Sequence, residues 1–111
     1  VPLGRRAAML RHMDRAMRAD SEAWARLVSE EVGKPLADAY GGDLLPAMAT
    51  LDHWARCAPR LLKPRDVFPA NGLLMGRRYR LLQVPHGVVA VITPWNYPAN
   101  IPVGAVAAAL V

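Results

Sequence analysis

The stretch Gly87-Val-Val-Ala-Val-Ile-Thr-Pro-Trp-Asn-Tyr-Pro98 decides how the rest of the chain is read. Val88 to Ile92 is a continuous apolar run rich in Val and Ile, the pattern of a strand buried on both faces. Pro85-His86-Gly87 in front of it reads as a turn. Thr93 to Pro98 behind it reads as an irregular loop. Pro94 and Pro98 fix backbone dihedrals and remove two N–H donors, so the loop is stiff and keeps free carbonyls. Between the prolines stand Trp95, Asn96 and Tyr97. Asn96 is a neutral amide donor at a strand end, where α/β sheets bind ligands. An oxyanion hole needs such a preset donor. The residues alone leave a second role open, in which Asn96 braces the loop and Trp95 belongs to the core.

From about Pro102 the pattern turns helical, with Val103, Val106, Ala107 and Leu110 on one side. Upstream, residues 5 to 19 read as a helix through Leu10, Met13 and Met17. Asp20 or Ser21 can cap a second helix with Glu22 in its first turn. That helix places Trp24, Leu27, Val28 and Val32 toward a core, and Gly33 and Pro35 stop it. A third helical region is disturbed by Gly41 and Gly42. It restarts near Leu45, where Pro46 suits a first turn. Met48, Leu51, Trp54, Ala55 and Ala58 form its stripe, and Pro59 and Pro64 end it. Asp66 to Gly72 reads as loop. Leu73 to Met75 and Arg78 to Val84 read as strands, with a bend at Gly76. Helices followed by strands suggest a helical layer leading into an α/β domain.

The chain has 111 residues, 53% of them hydrophobic, enough for one small domain and unlike a disordered tail. Val1 in place of Met and the apolar Ala-Ala-Ala-Leu-Val ending make both ends read as cut. The formal net charge is +5, almost all from arginine. Arg77, Arg78 and Arg80 surround Tyr79, which leaves a nucleic-acid face conceivable. Charge blocking an exposed strand edge is the ordinary use of such a cluster. Gly87 to Val111 carries no charge, yet Pro94, Pro98, Pro102, Asn96 and Asn100 interrupt it. It reads as strand, turn and helix, not as a membrane span. The single cysteine, Cys57, fits a reducing compartment such as the cytoplasm and a buried structural place on the third helix. His12, His53 and His86 lack metal-ligand spacing, and no metal is expected. Glu30 and Glu31 are adjacent and point to different sides of a helix, a poor catalytic pair.

The segment from Gly87 to Pro98 resembles the signature of the aldehyde dehydrogenase superfamily. There a Gly-Val-Val-x-x-Ile strand is followed by Pro-Trp-Asn-(Phe/Tyr)-Pro. Glu31-Val-Gly-Lys-Pro-Leu36 resembles the family's Glu-x-Gly-Lys-Pro step, and Tyr79 to Gly87 resembles the strand and turn before the signature. The resemblance covers nearly the whole chain.

It implies an α/β protein: N-terminal helices over 1–72, then strands over 73–111. The latter comprise a β-hairpin and the first strand-loop-helix of a Rossmann-like cofactor-binding domain, incomplete. It implies oxidation of an aldehyde to a carboxylate with NAD or NADP through a cysteine thiohemiacetal. Asn96 falls on the oxyanion donor. Ile92, Thr93, Pro94 and Trp95 fall on the nicotinamide-ribose end of the cofactor site, and Tyr97 on the substrate tunnel. The family's nucleophilic cysteine, deacylating glutamate and glycine-containing pyrophosphate turn come after residue 111, so this chain alone is expected to be inactive. The parent is expected to be a homo-oligomer with Arg78 to Val84 near a subunit contact, without nucleic-acid or membrane partners. A CoA-acylating or semialdehyde-specific member and a non-enzymatic helical binding module are the alternatives.

Overall fold

The computed structural model describes residues 1–68 and 78–111. Helix α1 spans Leu3–Ala19 and buries Ala7, Leu10 and Met17. These recur at intervals of three and seven, one stripe of a 3.6-residue helix. Helix α2 spans Ser21–Val32. Asp20 stands at its N-cap, but its side chain makes no capping hydrogen bond. Glu22 in the first turn instead pairs with Arg26 at 2.6 Å.

The inward face of α2 is Ala25 and Val28. Val32 is half-buried, whereas Trp24 and Leu27, expected in the core, are exposed. At 100° per residue they lie roughly 70° and 130° around the helix from the Ala25–Val28 direction. A helix this close to its neighbours has room for small residues on that face. Gly33 ends α2 in the left-handed conformation (φ 75), and its N–H donates to Ser29 O. That stop was legible in the glycine itself.

A short helical turn, α3, covers Leu36–Asp38 and runs into a π-helical turn at Ala39–Leu44. The disturbance expected at Gly41 and Gly42 is therefore a widened turn and not a break. Helix α4 then spans Leu45–Leu61 with Pro46 in its first turn. Pro59 does not end α4, as expected, but sits inside it. Proline cannot donate to the carbonyl four residues back. Ala55 O, freed by this, accepts from Arg11 Nη1 of α1 at 3.3 Å.

Strand β1, Arg65–Val67, pairs antiparallel with β2, Tyr79–Leu81. Asp66 lies opposite Arg80, and the two form an ion pair at 3.1 Å. Asp66 and Val67 are thus strand where loop was expected, and the expected strand from Arg78 to Val84 is limited to three residues. The expected strand Leu73 to Met75, the bend at Gly76 and Arg77 lie outside the described residues. The chain is mostly helical with this small two-stranded sheet. Helix α5 spans Asn100–Leu110 and buries Ala107, packing along α4 and the π-helical turn.

The core lies between α1, α4 and α5, with Leu10, Leu44 and Leu51 fully buried. Val88 to Ile92 does not join it. It forms no strand among the described residues, and Val88 and Ile92 are 96% and 97% exposed. A doubly buried strand needs paired neighbours on both edges and cover on both faces. The described residues supply neither. The turn before it does form, with Gly87 at φ 86. The radius of gyration is 18.5 Å, against about 13 Å for a compact domain of this size. The excess reflects an elongated molecule, 61 × 25 × 24 Å.

Candidate active site

The loop Thr93 to Pro98 leaves the exposed segment and returns to the helices at Ala99, which is buried. Ile92 is almost fully exposed, Pro94 is exposed, and Trp95 is 77% exposed. Trp95 is therefore not part of the core. Thr93, Tyr97 and Pro98 are half-buried, and Asn96 is exposed. The hydrogen bond that holds Asn96 runs through its main chain, whose carbonyl accepts from Lys34 Nζ at 2.8 Å.

Two residues outside the loop carry its attachment. Lys34 follows the left-handed Gly33, and its own carbonyl accepts from Ser29 Oγ at 2.6 Å, which fixes the start of the side chain. Its Nζ donates to Asp43 Oδ2 at 2.7 Å, lies 3.6 Å from Asp38 Oδ2, and sits 4.0 Å from the centre of the Tyr97 ring. An ammonium over a phenol face is attracted by the ring's quadrupole. The Lys34 side chain is 9% exposed and that of Asp43 is 0% exposed. The hydrogen bond to Asp43 holds the Lys34 ammonium above the usual lysine value of 10.5, against the opposing effect of desolvation.

Asp43 answers with its second oxygen. Oδ1 accepts from the N–H groups of Ala99 and Asn100 at 3.1 and 3.2 Å. These are unpaired donors at the start of α5, where a negative charge also meets the positive end of the helix dipole. Asn100 Nδ2 donates to Gly42 O at 3.2 Å. Pro46 has no N–H to give that carbonyl at the α-helical spacing. At Gly42 an added Cβ would come within 2.9 Å of the Tyr97 ring and 3.1 Å of Asp38 Oδ1, so a larger residue would push these side chains aside.

The π-helical turn inserts one residue and so changes which side chains face inward. Asp43 is the carboxylate it places at the loop. The sequence reading marks the disturbance at Gly41 and Gly42 and quotes Lys34 within the Gly-Lys-Pro step, but gives Asp43 no role. The available signal was a lone Asp between Gly-Gly and an apolar helix, a costly place unless its charge is matched.

Cys57 is half-buried on α4, not fully buried as expected, with Sγ 3.8 Å from His53 Nδ1. Among the described residues no group of three or more His, Cys, Asp or Glu could hold a metal ion. No helix among them is long and apolar enough to cross a membrane.

The profile of the aldehyde dehydrogenase family matches residues 1–111. The chain belongs to that family. A probable aldehyde dehydrogenase of Pseudomonas sp. is 37% identical over 101 residues, 91% of this chain and 19% of the relative. Succinate-semialdehyde dehydrogenase, mitochondrial, of Arabidopsis thaliana is 36% identical over 95 residues, 86% of this chain and 17% of the relative. N-succinylglutamate 5-semialdehyde dehydrogenase of Sphingopyxis alaskensis is 32% identical over 110 residues, 99% of this chain and 22% of the relative. This aldehyde dehydrogenase chain thus spans about a fifth of the length of such relatives.

Proposed function

We propose that this segment supplies the oxyanion donor and part of the cofactor wall to an NAD- or NADP-dependent enzyme oxidising an aldehyde to a carboxylate. The observation that carries the reading is the loop Pro94 to Pro98, anchored by Lys34 and Asp43 with the Asn96 side chain left exposed. An anchored main chain with a free amide is the arrangement an oxyanion donor requires. As the aldehyde carbon is attacked by a cysteine thiolate, negative charge gathers on the former carbonyl oxygen. The Asn96 amide donates to that oxygen without carrying a charge that would bind the ground state as well. None of these 111 residues is assigned as the nucleophile or the deacylating acid, and this chain by itself is expected not to turn over.

Ile92, Thr93, Pro94 and Trp95 fit the nicotinamide-ribose end of a dinucleotide. Ile92, Pro94 and Trp95 offer exposed apolar surface beside the half-buried Thr93. When bound, the cofactor accepts the hydride. Tyr97 lines the substrate passage, with the Lys34 ammonium over its ring. In this reading the helices α1 to α4 form the support, and the segment leading into α5 opens the cofactor-binding domain. Arg78 and Arg80 serve a strand edge at a homo-oligomer contact and not nucleic acid; within the hairpin Arg80 already pairs with Asp66. Replacing Arg77, Arg78 and Arg80 by Ser would then alter assembly without a nucleic-acid phenotype. The lone Cys57 suits the cytoplasm. A semialdehyde as substrate is favoured by the names of two relatives.

The test is steady-state kinetics with cofactor titration on the full-length enzyme. Asn96→Ala should lower kcat by about 10²–10³, the usual cost of one oxyanion donor, with cofactor affinity little changed. Asn96→Asp should be at least as damaging, since it turns an acceptor toward the oxyanion. A kcat within about threefold of the parent, far short of a lost donor, would leave Asn96 as a loop brace.

A further inference from the structure

We propose that Lys34 and Asp43 are positioning residues that set the aim of the Asn96 amide through its main chain. This rests on the reading of Asn96 as the oxyanion donor. One ion pair grips the chain at the Asn96 carbonyl and again just after it. Lys34 Nζ holds that carbonyl at 2.8 Å. Asp43 Oδ1 holds the N–H groups three and four residues later, at 3.1 and 3.2 Å. The 2.7 Å bond between Lys34 and Asp43 joins the two grips. The same ammonium fixes the face of Tyr97, the next residue.

The pair draws on three separate elements. Lys34 follows α2, Asp43 lies in the π-helical turn, and Asn96 precedes α5. Small relative movement among them would reach the amide directly. A displacement of about 1 Å at a reacting geometry can cost about 10²-fold in rate. A salt link with no exposed carboxylate resists such movement better than a surface pair, whose worth is near zero. Neither Lys34 nor Asp43 donates to substrate in this scheme. Their influence on kcat passes through Asn96.

A double-mutant cycle on the full-length enzyme tests this. Lys34→Met keeps the stem and removes the ammonium. It should lower kcat about 10- to 100-fold, as misplacement of a reacting group does. KM for aldehyde and cofactor affinity should stay within about threefold, since the lost interaction belongs to the transition state. In the Asn96→Ala background the same change should cost no more than about twofold, the ordinary error of additivity. Lys34→Arg, which keeps the charge facing Asp43, should recover part of the loss. Equal losses in both backgrounds would show that Lys34 acts independently of Asn96 and overturn the proposal. So would an unchanged kcat in Lys34→Met beside a crippled Asn96→Ala, which would leave the donor role standing. An unaffected Asn96→Ala would remove the donor reading itself, and this proposal with it. Should Lys34→Met fail to fold, Asp43→Asn takes its place in the cycle. It keeps an acceptor for Ala99 and Asn100, and the same outcomes decide.

Discussion

Residues 3 to 61 and residues 82 to 95 are comparably apolar, yet only the first region is folded upon itself. In the helices, Leu10, Leu44 and Leu51 are fully buried. In the later segment, Val84, Val88 and Ile92 stand in the open. A helix satisfies its main chain internally and needs a neighbour for one face only. A strand must borrow every main-chain partner from another strand. Apolar composition is therefore enough to close the first region, whereas the second waits for partner strands.

Substitutions should separate the two regions sharply. The largest effect is expected at Asp43, where Asp43→Ala takes the buried carboxylate from the Lys34 ammonium and leaves two N–H groups unmatched. A loss of about 3–5 kcal/mol is expected from breaking a buried pair, read by urea unfolding. Leu51→Ala, at the centre of α4, should cost about 2–5 kcal/mol by opening a cavity. A loss below 1 kcal/mol at either position would mean that the helical half is not the closed unit it looks. Arg11→Met should cost about 1 kcal/mol, because Ala55 O loses the donor that replaces the Pro59 N–H.

The pH response has a definite sign. Lys34 is raised above 10.5 in the fold, so its contribution is complete at neutral pH. It should persist up to the ordinary lysine range and fade as pH climbs through the folded value. The stability gap between parent and Lys34→Met should therefore be flat around neutrality and narrow only at strongly alkaline pH. A gap that narrows toward acid pH instead would assign the effect to a carboxylate.

The smallest effect belongs to the open segment. Val88→Ser should change unfolding stability by no more than about 0.5 kcal/mol, as at other exposed positions. It should nonetheless reduce aggregation of the isolated chain, because exposed apolar stretches of this kind seed it. Hydrogen exchange would sharpen the contrast, with amides of α1 and α4 protected and those of residues 88–92 exchanging at the rate of free chain. Protection there in the isolated chain would show that the segment finds strand partners unaided.

The sequence by itself determined the helices, their glycine stop at Gly33, the turn at Gly87 and the family, through Gly87 to Pro98. These features are local. Periodicity, a glycine's left-handed freedom and two prolines act within a few residues of one another. The same reading misjudged Trp24 and Leu27, because apolar character does not say how wide the buried stripe of a helix is. It misjudged Pro59, because a helix tolerates a proline when Arg11, on another helix, takes over the freed carbonyl. It passed over Asp43, whose partners lie 9 and 56 or 57 residues away. Only the tertiary structure decided that Lys34 and Asp43 meet beneath Asn96. Ion pairs and main-chain grips between separate elements depend on how those elements pack, and packing leaves no periodic trace along the chain.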